Sequence, residues 1–311
     1  CHRPGGAGPF PLVTYADAES RARQIADVTA SRFMPPWLPE PGHGRFEGER
    51  RLSDGEIETL ARWAEAGAPA GDLAELPPVP EWPEGWQLGE PDLVLETPPF
   101  ELPADGPDVF RNFVLPTDLP GVRYVRGVEL VPGNPAVVHH AVMQVDRTGS
   151  VQRLDDEDPG PGFGGMFMGA SERPDGHFVG WTPGHLPREV PRGLAWRLHP
   201  GSDVVVQLHM PPSGKRETVR VKVGLHFTSE PPTRELFGLL LGSERIDIPA
   251  GESDYELEDR FTLPVAVEAL GIYPHAHYLG KRMEAWAELP GGERRWLLKI
   301  NDWDFDWQDE Y

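Results

Sequence analysis

DVVVQLHM, residues 203–210, decides the reading of this 311-residue chain. Successive side chains of an extended strand point to opposite faces, so Val204, Val206 and Leu208 share one face while Gln207 and His209 share the other. Such a strand buries an aliphatic face and presents a polar one that carries an imidazole. Apolar and polar residues alternate in the same way in VRYVRGVELV (122–131), VVHHAVMQV (137–145), VRVKVGLHF (219–227), LFGLLLG (236–242) and VEALGIYPHAHYLG (267–280). PGN, PSG, PAG and PGG turns separate these runs. Short alternating runs broken by turn residues predict a mainly β chain, built as an antiparallel sandwich or barrel. The 35 Gly and 36 Pro point the same way, because both residues punctuate regular structure.

Only the N-terminal part carries a helical period. Between Thr14 and Phe33, Ala18, Ala22, Ile25, Ala26 and Val28 form an apolar stripe with Thr14 as N-cap. Ser53 and Glu56 match a capping box, Ile57, Leu60, Ala61 and Ala64 follow at helical spacing, and Gly67 supplies the stop. Residues 1–70 are thus expected to form a small all-α unit. Residues 71–100 read as a Pro-rich linker or draped arm, since proline sustains neither a helix nor a central strand. Two β units are expected beyond it, at 101–228 and 229–311.

The 29 basic and 50 acidic residues give a net charge of −21, which argues against nucleic acid or an anionic membrane as partner. One Cys excludes an intramolecular disulfide framework. No apolar run approaches the roughly 20 residues needed to span a bilayer. The chain opens on Cys1 and ends in NDWDFDWQDEY, read as an amphipathic strand, so it is expected to be a piece open at both ends.

The chemistry sits in the β part. His275 and His277, two apart in a strand, would share a face and grip one ion together. His209 is a third candidate ligand. Adjacent His139 and His140 would point to opposite faces of a regular strand, so both can serve one metal only at a strand end or a bulge. Neutral imidazole suits copper and zinc alike, and spacing does not choose between them. His43, His177, His185, His199 and His226 stand alone and read as structural. Gly160, Gly162 and Gly165 fit G-x-G-x-x-G but hold Pro161 and lack a preceding strand, which leaves a glycine-rich loop. Asp302, Asp304 and Asp306 resemble a calcium loop whose required Gly is replaced by Trp307.

The order His139-His140, then Gln207-x-His209 followed by a Pro-Ser-Gly-Lys turn, then Pro274-His275-x-His277-x-x-Gly280-Lys281, resembles the copper type II ascorbate-dependent monooxygenases, the family of the peptide-amidating and dopamine-hydroxylating enzymes. The resemblance covers about residues 90–311. It implies two jelly-roll β-sandwiches, the second incomplete here, each carrying one copper across an open cleft. It further implies an electron-transfer copper on His139, His140 and His209, and an oxygen-activating copper on His275 and His277. The third ligand of the latter, a methionine, would lie beyond Tyr311; Met210 and Met283 are expected not to substitute. Gln207 would lie beside the electron-transfer site and hydrogen-bond a ligand or route an electron. The activity implied is hydroxylation of a C–H bond of a small molecule with O2. Tyr273 stands where the peptide-amidating enzymes carry an arginine for the substrate carboxylate, which disfavours a glycine-extended peptide; it is read first as a core tyrosine.

CHRPGGAGP at the N-terminus, with MPPW at 34–37, resembles a c-type cytochrome whose haem motif has lost its first residues. That resemblance implies haem c held by Cys1, His2 and Met34 and a bacterial periplasmic or secreted location. The copper family's animal enzymes take electrons from ascorbate; a fused cytochrome suggests delivery through haem instead, so the electron donor is expected to be ascorbate or a redox protein. Two other readings stay open: a haem and copper electron-transfer or copper-holding protein without hydroxylase activity, and a zinc-stabilised binding module.

Overall fold

A computed structural model describes residues 1–311 except 5, 7, 79–80, 82–84 and 244. The chain is mainly β, with 25% strand against 14% helix, and every sheet is antiparallel.

The N-terminal helices form where the capping signals stand. Helix α1 (Tyr15–Glu19) opens on Thr14, whose side chain accepts from the Asp17 amide while Asp17 answers in a capping box. The expected single helix is broken after Glu19, and α2 (Ala22–Ala30) follows from Arg21, which makes no side-chain cap. Helix α3 (Asp54–Glu65) opens on the Ser53–Glu56 box, and Gly67 takes the left-handed conformation (φ 82°) that ends it.

Strand β1 (Leu93–Glu96) lies inside the stretch read as a linker, followed by β2 (Phe100–Leu102), β3 (Val109–Pro116), β4 (Arg123–Pro132) and β5 (His140–Asp146). After α4 (Ser150–Glu157) come β6 (Phe163–Gly164), β7 (Val179–Trp181), β8 (Trp196–Leu198), β9 (Asp203–Met210), β10 (Glu217–Val219) and β11 (Val221–Thr228). One sheet runs β1-β11-β4-β8 and the other β6-β3-β9-β5-β7, with β10-β2 as a separate pair. β1 is an edge strand, the place a Pro-flanked strand can occupy. Glu129 of β4, almost wholly buried, accepts from the Gln87 and Leu88 amides at 2.8–3.1 Å and so ties the arm to the sheet.

The two sheets share one apolar cluster. Phe113 and Leu115 of β3, Met143 and Val145 of β5, and Val204, Val206 and Leu208 of β9 meet Val125 and Leu130 of β4, Trp196 and Leu198 of β8, and Val223 and Leu225 of β11. The aliphatic face expected of 203–210 is therefore buried between the sheets; Val205 and His209 of the other face are buried as well, Val205 against Val151 and Phe163.

Residues 229–311 differ from expectation. The alternating runs at 236–242 and 267–280 form no strand among the described residues; the strands there are β12 (Met283–Glu288) and β13 (Arg294–Ile300), paired as a hairpin. Phe237, Leu240, Ile246, Leu257, Phe261 and Val267 are exposed. Alternation specifies which face is apolar, but a strand also needs a neighbour to take its backbone hydrogen bonds. The hairpin packs Leu298, Ile300 and Trp303 against Leu38 and Phe46 of the N-terminal part, and Trp37 meets Tyr311 edge-on at 5.2 Å. The acidic-aromatic end is also not a strand: Phe305–Trp307 is a single 3-10 turn capped by Asp304. Its alternation satisfies a tight turn because Phe305 points inward, buried among histidine rings.

Candidate metal centre

His139, His140 and His209 converge, with their ligand atoms all within 4.8 Å of one another. The pairing of β5 with β9 sets His140 opposite His209, and the His139 amide donates to the His209 carbonyl at 2.9 Å. β5 begins at His140, so His139 lies at the strand end, where alternation lapses and neighbouring side chains can turn together. The Nδ1 atoms of His139 and His140 face each other at 3.1 Å. Two ligands of one ion with bonds near 2.0–2.1 Å in tetrahedral geometry stand about 3.3 Å apart.

His209 supplies the third direction. Its Nε2 lies 2.7 Å from Asp108 Oδ2, which also accepts from the Tyr278 hydroxyl at 3.3 Å. A proton on Nε2 leaves the lone pair on Nδ1, the ligand position. That Nδ1 is buried and has no hydrogen-bond partner, and neither has His139 Nε2; Asp306 lies 3.5 Å from the latter without the alignment of a hydrogen bond. An orphaned buried nitrogen costs about 1–3 kcal/mol, which a metal ion on His209 Nδ1 would relieve. The three residues therefore fit a metal ion.

Aromatic rings wall the cluster. Phe110 stacks on His209 at 4.3 Å and Phe305 on His139 at 4.8 Å. Burial, then the neighbouring imidazoles beginning with His209, push His140 down to about 3. Burial likewise lowers His139, and lowers His209 against the raising hydrogen bond to Asp108. All three are thus neutral near pH 7, the form that binds metal.

His275 and His277 are exposed and lie in an irregular segment, their ring centroids 5.1 Å apart. Instead of facing the first group across an open cleft, they adjoin it: Gln308 contacts both His275 and His140, and the His277 ring lies 5.9 Å from Phe305. Among the described residues no third His, Cys, Asp or Glu joins them as a ligand group.

Other expected site residues fall as follows. Gln207 bonds Asn112 Oδ1 at 2.9 Å and the Met166 carbonyl at 3.0 Å, and so serves the strand-to-loop junction rather than an imidazole of the cluster. Met210 lies wholly in the shared core. Tyr273 donates to Gln308 at 3.2 Å and stacks on Phe178 at 4.5 Å; burial, with Asp309 and Glu310 nearby, raises its hydroxyl to about 12. Met34 lines a cavity of about 430 Å3 with Trp37, Leu38, Leu52 and Ile57. Cys1 and His2 do not line it: His2 bonds the Phe10 carbonyl through Nδ1 at 3.0 Å, and Cys1 is exposed.

Asp108, Gln308, Phe110, Phe305 and Tyr278 went unread in the sequence. Asp108 and Gln308 reach the histidines across 101 and 33 residues, so no local spacing marks them.

Two outcomes follow from this geometry. Asp108→Ala removes the acceptor that orients His209, and a chelator-competition titration is expected to show metal binding weakened roughly 10–100-fold; an unchanged affinity would deny Asp108 that role. In the metal-free chain, His140 takes up its proton in the unfolded state near 6.5 but in the folded state only near 3. The unfolded state therefore binds more protons in that window, and stability is full above about 6.5 and falls as pH drops. The slope from this one group is up to about 1.4 kcal/mol per pH unit. Urea titrations at pH 7 and pH 5 should show the loss, and His140→Gln should reduce it by this group's share, His139 and His209 supplying the rest.

Compared with known proteins, the chain is matched by no family model, no curated protein and no solved structure.

Proposed function

We propose that this chain is a copper-dependent monooxygenase that hydroxylates a C–H bond of a small molecule with O2, the two packed sheets of its first β unit being of jelly-roll type. The observation that carries the reading is the three-imidazole cluster with two buried, unpartnered ring nitrogens, adjoining a second His-x-His pair. Copper in such ligand sets supplies one-electron and oxygen chemistry. His139, His140 and His209 would hold one ion, with Asp108 orienting His209 and Phe110 and Phe305 keeping water from the rings. His275 and His277 would contribute two ligands to the other. Electrons would come from ascorbate or a redox protein, and the protein would work in the periplasm or outside the cell. The haem c reading rests on the sequence around Cys1, His2 and Met34 and on the cavity beside Met34.

A second reading is favoured by the lack of a third His, Cys, Asp or Glu beside His275 and His277 among the described residues. In that reading the chain holds copper, or passes electrons through copper and haem, without hydroxylation. Metal analysis with electron paramagnetic resonance and a pyridine haemochrome spectrum separates the two. Two coppers per chain favour the monooxygenase; one copper favours the second reading; zinc alone removes both and leaves a zinc-stabilised binding module.

A further inference from the structure

Gln308 lies between the two histidine groups, 3% exposed, directly after the Phe305–Trp307 turn. Its Oε1 accepts from His275 Nδ1 at 2.8 Å and from the Tyr273 hydroxyl at 3.2 Å. Its Nε2 lies 3.5 Å from His140 Nδ1. An amide oxygen only accepts and an amide nitrogen only donates, and the Tyr273 hydroxyl donating on the oxygen side fixes which way the amide faces. Two consequences follow. The His275 proton is held on Nδ1, which leaves the lone pair on Nε2 for a ligand. The amide nitrogen, in turn, is directed at the lone pair of His140 Nδ1, one of the two nitrogens that face each other in the three-histidine cluster.

We propose that Gln308 is a positioning residue that couples the two groups: it sets the His275 tautomer, and it gives up its contact with His140 when a metal ion takes the His140 Nδ1. The proposal rests on the reading of His139, His140 and His209 as a metal site. The 3.5 Å contact is the longest of the three and the first to yield. Once it yields, the amide is held only from the His275 and Tyr273 side. By linkage, if filling the three-histidine site changes the affinity of His275 for a ligand by some factor, that ligand changes the affinity of the three-histidine site by the same factor.

The test uses the whole chain with 15N-labelled histidine and long-range 1H–15N correlation of the imidazoles, metal-free and with one equivalent of Cu(I) added anaerobically. In the wild-type chain His275 should show a protonated Nδ1 and a lone-pair Nε2 before metal, and its signals should shift as the three-histidine cluster fills. Gln308→Leu should give His275 a mixture of tautomers and remove that shift. Gln308→Glu keeps an acceptor and should restore the Nδ1–H form. Should the leucine variant fail to fold, Gln308→Asn, which withdraws the amide by one methylene, provides the same readout. An unchanged His275 tautomer in the leucine or asparagine variant overturns the proposal, as does a Cu(I)-induced shift that persists there. Failure of the metal reading looks different: His139, His140 and His209 would not respond to Cu(I) in the wild-type chain, while the metal-free tautomer comparison would still decide what Gln308 does to His275.

Discussion

His209→Ala is expected to cost this chain its tight metal binding. His209 is the one member of the cluster contributed by β9, and its Nδ1 is the nitrogen left bare by the Asp108 contact. Loss of an outer-shell partner weakens a metal site roughly 10–100-fold, so loss of the ligand itself should exceed about 100-fold. The substitution also strips Asp108 of its buried partner and Phe110 of the ring stacked on it at 4.3 Å. A fluorescent-chelator competition with Cu(I) would measure the change, and His209→Gln, which keeps the volume and a polar tip, guards against a mere packing defect. Binding within threefold of wild type in both variants would remove His209 from the ligand set.

Phe113→Ala should produce the largest loss of stability. Phe113 lies on β3 opposite Val206, is 1% exposed, and meets Phe100 edge-on at 6.2 Å in the cluster that joins the two sheets. Truncating a buried phenylalanine costs about 3–5 kcal/mol, because transfer energy is lost and the cavity left behind cannot collapse completely. A domain of ordinary stability holds about 5–15 kcal/mol in total, so the variant should sit near its unfolding threshold. Guanidinium titration followed by tryptophan fluorescence would read this as a lower midpoint at unchanged slope. A loss below about 1 kcal/mol would mean that Phe113 is not part of a cooperative core.

What the sequence revealed about this molecule was governed by range. The strand faces of 203–210 were readable because alternation is local, and the convergence of His139 with His140 was readable as a condition: it required a strand end, and β5 begins at His140. The helix starts at Thr14 and Ser53 were legible for the same reason, since a capping box spans four residues. The break after Glu19 was not, because the apolar stripe continues across it. Residues 236–242 and 267–280 carry the pattern of strands yet form no ladder among the described residues, where Ile272 and Tyr311 exchange one pair of backbone hydrogen bonds, and pairing is a property of a partner rather than of the segment. Asp108 and Gln308 lay outside any readable motif because each reaches its histidine only through the folded chain.

The position of the cluster on β5 and β9 has a kinetic meaning. β9 pairs on one side with β5, where Val206 meets Met143, and on the other with β3, where Val206 meets Phe113. Both ladders close loops of many tens of residues, and contacts so distant along the chain must be assembled before they repay the entropy of closing them. The three imidazoles therefore come within reach of one another only after the central sheet has zipped. An ion captured at that stage cannot nucleate folding; it slows unfolding instead. Added metal should lengthen the lifetime of the native chain and leave its refolding rate nearly untouched.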